Sequence, residues 1–237
     1  SLIDTTRNYR MGISTIDNSK GIITGSIQGS VEVQYFMTDG TESNISLIPF
    51  YDWGFTISNA PEFSIPFDED FVLFNSGGFR MGITDATEAG TAILSDSIVV
   101  NPVPLFDEPL NVSWNNQLFF SGSRTSSSSL IELYYTDGTP GGTHRLKKIH
   151  KGSGGSEPRY LTVFKDKLYF TAADTLENRE LWTTDGTKNG TNKFKELYPG
   201  LEGSEPAELT VTGNQMFFAA TDPQKGRELW VTDGTVQ

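Results

Sequence analysis

Five aspartates recur in one short setting along this chain, and they are the first residues to test for chemistry. Asp39, Asp85, Asp137, Asp185 and Asp233 each follow Thr and precede Gly-Thr, or Ala-Thr at Asp85, with spacings of 46, 52, 48 and 48 residues. Repeated carboxylates can hold a hard cation, supply acid–base catalysis, or accept the backbone N–H groups of a tight turn. The Gly after four of the five offers a positive φ. The setting therefore predicts hairpin chemistry in which each Asp bonds its own turn.

Other residue groups could do more. Asp174 with Glu177 and Glu180, and Asp222 with Glu228, offer the oxygen ligands that Ca²⁺ takes, making calcium the only cofactor the residues admit. Neither segment has the dense spacing of a recognised calcium loop, and Arg179 and Arg227 stand ready to pair with Glu180 and Glu228. His144 and His150 have no third ligand at a zinc-like spacing. The serines lack a nucleophile elbow, and no Gly-rich phosphate loop precedes a helix. Glycan cleavage would need two carboxylates facing across a pocket, whereas the inner strands read Leu-Thr-Val and Ile-Ser-Thr. No metal ligands or catalytic residues are assigned on these grounds. The chain has no Cys, which excludes disulfides, thiol catalysis and Cys-ligated metals.

The ligand-binding residues we expect are Tyr51, Trp53 and Arg80. Tyr51 and Trp53 lie in the connection from the first repeat to the second, Tyr51-Asp52-Trp53-Gly54-Phe55-Thr56-Ile57-Ser58-Asn59-Ala60, which departs from the Gly-Ser-Glu-Pro pattern of the later connections. Arg80 takes the place held by Glu132, Glu180 and Glu228. Repeated positions serve the fold, and departures are where binding can be added.

The elements that would position these residues follow from the period. A repeat near 48 residues, rich in β-branched and aromatic side chains, is the length of a four-stranded propeller blade. Five blades account for residues 1–237 as one domain. In the clearest repeat, alternation and turn signals place strand A at 160–164, B at 168–172, C at 180–184 and D at 192–197, and no stretch shows a helical period. The aligned column Phe36, Gly82, Tyr134, Trp182 and Trp230 falls on strand C, where a ring can fill the gap between blades. Phe74 or Phe79 would fill the space at Gly82. Thr125-Ser126-Ser127-Ser128-Ser129 reads as a loop insertion. The fifth repeat ends after strand C, so Ser1 to Thr6 is expected to supply its fourth strand beside Leu229–Thr232 and close the ring.

Charge is uneven. Residues 1–108 carry 4 Lys+Arg against 15 Asp+Glu, residues 109–237 carry 14 against 15, and the whole chain is −12. Such a balance disfavours nucleic acid as a partner. No segment approaches the roughly 20 apolar residues of a membrane span, so no membrane insertion is expected.

Glu180-Leu181-Trp182-Thr183-Thr184-Asp185-Gly186-Thr187, repeated as Glu228-Leu229-Trp230-Val231-Thr232-Asp233-Gly234-Thr235, resembles the ELWxxDGT repeat family of secreted and surface-associated bacterial proteins. The resemblance is strong over 130–237 and fades through the first two repeats. It implies a propeller fold and an extracellular or cell-surface setting, and no catalytic residues. The expected function is a monomeric, non-catalytic recognition module, similar in architecture to tachylectin-like lectins, binding glycan or extracellular protein through channel-mouth loops. A glycan-cleaving enzyme and a structural spacer of a larger adhesin are the alternatives.

Overall fold

The computed structural model describes residues 9–15, 21–27, 33–38, 45–47, 64–66, 72–76, 80–85, 89–90, 92–95, 97–100, 109–124, 130–174, 178–200 and 202–235, with backbone only before residue 81. These residues are all β. The first sheet holds β1 (Tyr9–Thr15), β2 (Gly21–Ile27), β3 (Val33–Thr38) and β4 (Ile45–Leu47); the second β5 (Ser64–Pro66), β6 (Val72–Ser76), β7 (Arg80–Thr84) and β8 (Ala92–Ser95). The third joins β9 (Val99–Val100) to β10 (Asn111–Trp114), β11 (Gln117–Ser123), β12 (Glu132–Thr136) and β13 (His144–Arg145). The fourth is β14 (Arg159–Phe164), β15 (Lys167–Ala173), β16 (Arg179–Thr184) and β17 (Asn192–Lys195), and the fifth β18 (Ala207–Thr212), β19 (Gln215–Asp222) and β20 (Gly226–Thr232).

Strand pairing is antiparallel and follows chain order β1-β2-β3-β4, as the repeat predicts. The same order returns in the later sheets. No α-helix occurs among the described residues, whose helical turns are 3-10, as at Pro140–Gly142. The chain divides into two compact units, Ser1–Val99 and Val100–Gln237, where the period alone predicts one domain. Residues 1–8 and 125–129 lie outside the described residues, so the proposed closing strand and the Ser-rich insertion do too.

The strand-C column is in register in all five sheets. Phe36 stands opposite Ile23, Gly82 opposite Phe74, Tyr134 opposite Phe120, Trp182 opposite Phe170 and Trp230 opposite Phe218. Phe74 is thus the cross-strand neighbour of Gly82, and Phe79 lies outside the described residues. In the second unit the column is core, as its apolar rings require. Trp182 packs in one cluster with Phe119, Leu133 and Leu146 of the third repeat and Phe170 of the fourth. Tyr169 and Leu181 point the other way, into a cluster with Met216 and Phe218 of the fifth. Period-2 alternation on β15 and β16 thus feeds two inter-sheet cores, each fully buried large side chain contributing roughly 1.5–3 kcal/mol. The indole N–H groups, which burial would otherwise orphan, donate to Ala172 O and Ala220 O, both at 3.1 Å.

The turns between strands A and B are tight and left-handed. Lys165 and Asp166 have φ of 47° and 56°, and Asn115 and Asn116 have 52° and 58°. Positive φ at both central residues is the two-residue hairpin turn that matches strand twist. The Lys165 ammonium donates to Asp233 O at 2.7 Å, tying the fourth hairpin to the fifth repeat.

Candidate functional site

Three of the repeated aspartates, Asp137, Asp185 and Asp233, are spent on their own loops, as the tetrad predicts; Asp39 lies outside the described residues. Asp185 Oδ1 accepts from Thr187 N at 2.9 Å and Thr187 Oγ1 at 2.7 Å; Asp137 does the same with Thr139, and Asp233 with Thr235. Gly138, Gly186 and Gly234 hold φ of 85°, 89° and 87°, a conformation other residues adopt at a cost. The rest of the motif is explained in the same step. Thr187 Oγ1 accepts from Gly190 N, Thr191 Oγ1 donates to Thr187 O, and the buried hydroxyls of Thr184 and Thr191 meet at 2.8 Å. A Cβ at Gly190 would stand 2.0 Å from the Asp185 carboxylate, and Gly90 and Gly142 are equally close to Asp85 and Asp137. These bonds, the Thr hydroxyl first, hold the Asp137, Asp185 and Asp233 carboxyls below their ordinary range.

At the opposite end of the strands the Gly-Ser-Glu-Pro connections do the corresponding work. Glu180 is fully buried on β16, yet its carboxylate accepts from Leu197 N, Tyr198 N and Ser204 N at 3.3, 3.1 and 3.2 Å and from Ser204 Oγ at 2.5 Å. Four donors compensate the desolvation of one charge. Glu132 repeats the device with Ile149 N and Ser156 Oγ. With fewer donors to offset it, burial pushes the Glu132 carboxyl upward. The Gly is required by closeness: a Cβ at Gly155 would meet Ile131 N at 2.3 Å, and one at Gly203 would meet Arg179 N at 2.5 Å. Backbone bonds Glu157 N to Ile131 O and Glu205 N to Arg179 O then join each connection to the preceding strand C.

A charged cluster sits on this same end, and the sequence pairing of Arg179 with Glu180 is corrected by it. The Arg179 guanidinium, largely buried, donates to Glu157 O at 2.7 Å and lies 3.5 Å from Glu157 Oε2 and 3.6 Å from Glu205 Oε2. Glu180 has turned inward to its amides, so its neighbour serves the next strand A instead. Arg159 meets Glu157 Oε2 at 3.1 Å, and Arg227 donates to Glu205 O at 3.0 Å. Desolvation raises the Glu205 carboxyl while Arg179, Arg159 and Arg227 pull it back. The backbone here is unusual: Glu157, Tyr160, Glu205 and Glu208 have φ of 45°, 55°, 46° and 59°, and a bulge interrupts the register between Arg159 and Thr162 and between Ala207 and Thr210. Bulges at matched positions of two inner strands re-aim side chains at the connection end. Sequence reasoning missed this cluster; the repeated Arg-Glu-Leu-Trp and Glu-Pro segments were its signal.

Of the residues expected to bind ligand, Tyr51 and Trp53 lie outside the described residues. Arg80 heads β7 opposite Ser76, as Glu180 stands opposite Ala172 on β16, so its place in the repeat is the expected one. The oxygen groups considered for calcium are otherwise engaged. Asp174 faces Lys151 at 3.4 Å and Lys193 at 3.6 Å, Glu180 caps amides, and Asp222 Oδ1 accepts from Gln224 N and Lys225 N. Glu177 lies outside the described residues, and Glu228 is exposed on β20. No group of three or more potential metal ligands forms among the described residues. His144 stacks edgewise on Tyr135, and His150 Nδ1 accepts from Gly152 N.

No family model and no curated protein matches the chain. Solved structures do. A puromycin hydrolase mutant complexed with PGG is 13% identical at a TM-score of 0.48, over 93% of this chain and 35% of its own. A putative TolB from Agrobacterium tumefaciens is 12% identical at 0.43, over 98% and 80%, and a prolyl endopeptidase is 9% identical at 0.47, over 95% and 41%. This chain therefore spans about a third of the length of the hydrolase it matches. At TM-scores below 0.5 these likenesses leave function to be argued from the residues themselves.

Proposed function

We propose that this chain is a non-catalytic recognition module built as a five-bladed ring, working outside the cell or at its surface, that binds glycan or protein through its strand A and strand C entry loops. The carrying observation is where the repeated polar groups go. The tetrad aspartates and Glu180 are consumed by turn and connection bonds, which leaves chemistry to positions that break the repeat. Tyr51, Trp53 and Arg80 are those positions, Arg80 offering a planar cation where the third and fourth repeats bury a carboxylate. A screen of the purified domain on a glycan array, followed by Trp53→Ala, tests the site. Binding that survives Trp53→Ala with the fold intact would move the site elsewhere. A hydrolysed glycan on that array would instead favour the enzyme reading.

Ring closure is part of the same proposal. Residues 2–6 would pair beside β20 and supply the strand that β17 supplies to β16. Its support is the apolar face of β20, where Leu229 is 74% and Val231 52% exposed although the matching Leu181 is buried against the next sheet. Deleting residues 1–6 should lower stability sharply, and a variant that melts with the parent would end the closure model.

A further inference from the structure

The outer strands of the third and fourth repeats carry a basic strip that the fold does not need. Between Asp137 and Glu157 the chain contains no acidic residue, but it holds His144, Arg145, Lys147, Lys148, His150 and Lys151. Leu146 and Ile149 go into the core, whereas His144, Arg145, Lys148 and Lys151 are exposed. The matching stretch of the next repeat adds Lys188, Lys193 and Lys195. The two stretches are in contact. Lys151 and Lys193 share Asp174, and Lys147 Nζ bonds Thr191 O. Seven of the chain's 18 Lys and Arg thus gather in two matching stretches of neighbouring repeats, Arg145, Lys193 and Lys195 on the outer strands and four in the segments beside them, against Asp174 and Glu196, in a protein of net charge −12.

The repeat provides its own control. Lysines on edge strands can simply block edge-to-edge pairing. The equivalent outer strands β4 and β8 read Ile-Ser-Leu and Ala-Ile-Leu-Ser, with no charge at all. Edge protection is therefore not a requirement of this position, and the cations of β13 and β17 are additions to it.

We infer that this strip binds a linear polyanionic polysaccharide, one bearing carboxylate or sulfate groups along its length. Clustered Lys and Arg focus a positive potential that attracts such a chain and releases its counterions on contact. A polysaccharide fits better than nucleic acid on two grounds. A duplex carries a charge about every 1.7 Å, so it meets the overall negative charge of this protein most strongly. Among the described residues no exposed Phe, Tyr or Trp offers a base-stacking platform either: the large exposed hydrophobic ones are Leu130, Val211, Leu229 and Val231. The strip is separate from Tyr51, Trp53 and Arg80, and its failure would leave that proposed site untouched.

The test is calorimetric titration of the full chain with heparin and with polygalacturonate at low and high salt, beside a DNA duplex of similar charge. Arg145→Glu with Lys148→Glu reverses two exposed strip charges, and Lys225→Glu, in the turn before β20, serves as the comparison. The expected result is salt-sensitive binding to at least one polysaccharide, weakened about tenfold or more by the double reversal, equivalent to about 1.4 kcal/mol. Lys225→Glu alone should leave it near the parent. Should the reversed variant unfold, Arg145→Gln with Lys148→Gln replaces it and should weaken binding in the same direction. No binding at low salt, equal loss from Lys225→Glu, or tighter binding of the duplex would each overturn the inference.

Discussion

Leu181 and Leu229 hold one position in two successive repeats, and their surroundings could hardly differ more. Leu181 is fully buried, with Lys195 of β17 beside it and the fifth sheet over its side chain; Leu229 is 74% exposed. Thr183 and Val231 stand in the same relation, as do Tyr169, 1% exposed, and the half-buried Phe217. The fourth sheet has a neighbour on both faces, so burial follows the place of a sheet more than the residue. The fifth sheet has its inner core, through Met216, Phe218 and Trp230, and leaves Leu229 and Val231 exposed on its opposite face. The matching face of the fourth sheet is covered by the fifth, and a surface of that kind is what a further sheet would cover.

The largest effect should come from probing that pair directly. Leu181→Ala removes a fully buried side chain between two sheets and should cost about 2–5 kcal/mol in urea unfolding. With the ring closed, Leu229→Ala should also be costly, and its cost should vanish once residues 1–6 are deleted, a coupling visible in a double-mutant cycle. A Leu229→Ala variant within about 0.5 kcal/mol of the parent would mean that the edge is open in solution.

Next comes the buried carboxylate. Glu180→Gln places an amide N–H₂ among four donors and should cost about 1–3 kcal/mol. Glu228, its exposed counterpart, should tolerate the same change within about 0.5 kcal/mol. Equal costs at the two positions would show that the fifth repeat also clamps a following connection.

Much of this was legible before any coordinate. The spacing of Asp39 through Asp233 gave the repeat, alternation from Tyr160 to Phe164 gave strand A, and Gly after Asp gave the turn with its left-handed residue. The strand-C column was visible because aromatic residues recur at one register. What was not visible was direction. Glu180 and Arg179 are adjacent in sequence, and adjacency invited a pairing that β-alternation forbids: successive side chains leave opposite faces of the strand. One turned to the amides of Leu197, Tyr198 and Ser204, the other to Glu157 and Glu205. The bulge at Tyr160 was equally hidden, since its positive φ falls on residues with no turn signature.

A smaller contrast separates the two tryptophans. Trp182 and Trp230 each donate an indole N–H at 3.1 Å, but Trp182 is buried and Trp230 only partly so. Trp182→Phe leaves Ala172 O without that donor and should cost about 1 kcal/mol, with Trp230→Phe costing less because water can replace the bond. Equal costs in thermal or urea unfolding would indicate that water reaches the Trp230 bond no better than the Trp182 bond.

The smallest expected effect is in the tetrads, and pH gives it a sign. Asp185 has a folded-state pKa below its unfolded value, so its contribution is present above the unfolded pKa and is lost as pH falls through the folded one. Glu132 runs the other way. Its raised folded-state pKa gives a contribution that is complete below the unfolded value and declines as pH rises through the folded value. Asp185→Ala should therefore cost about 1 kcal/mol at neutral pH through lost turn bonds, and progressively less in acid. Asp137→Ala should behave as Asp185→Ala does, because its carboxylate accepts the same two bonds from Thr139 and is held low for the same reason. Urea midpoints of the three proteins, measured from neutral pH down through the carboxylate range, check both statements. A cost at Asp185 that grows on acidification would reverse the sign and remove the turn-bonding account.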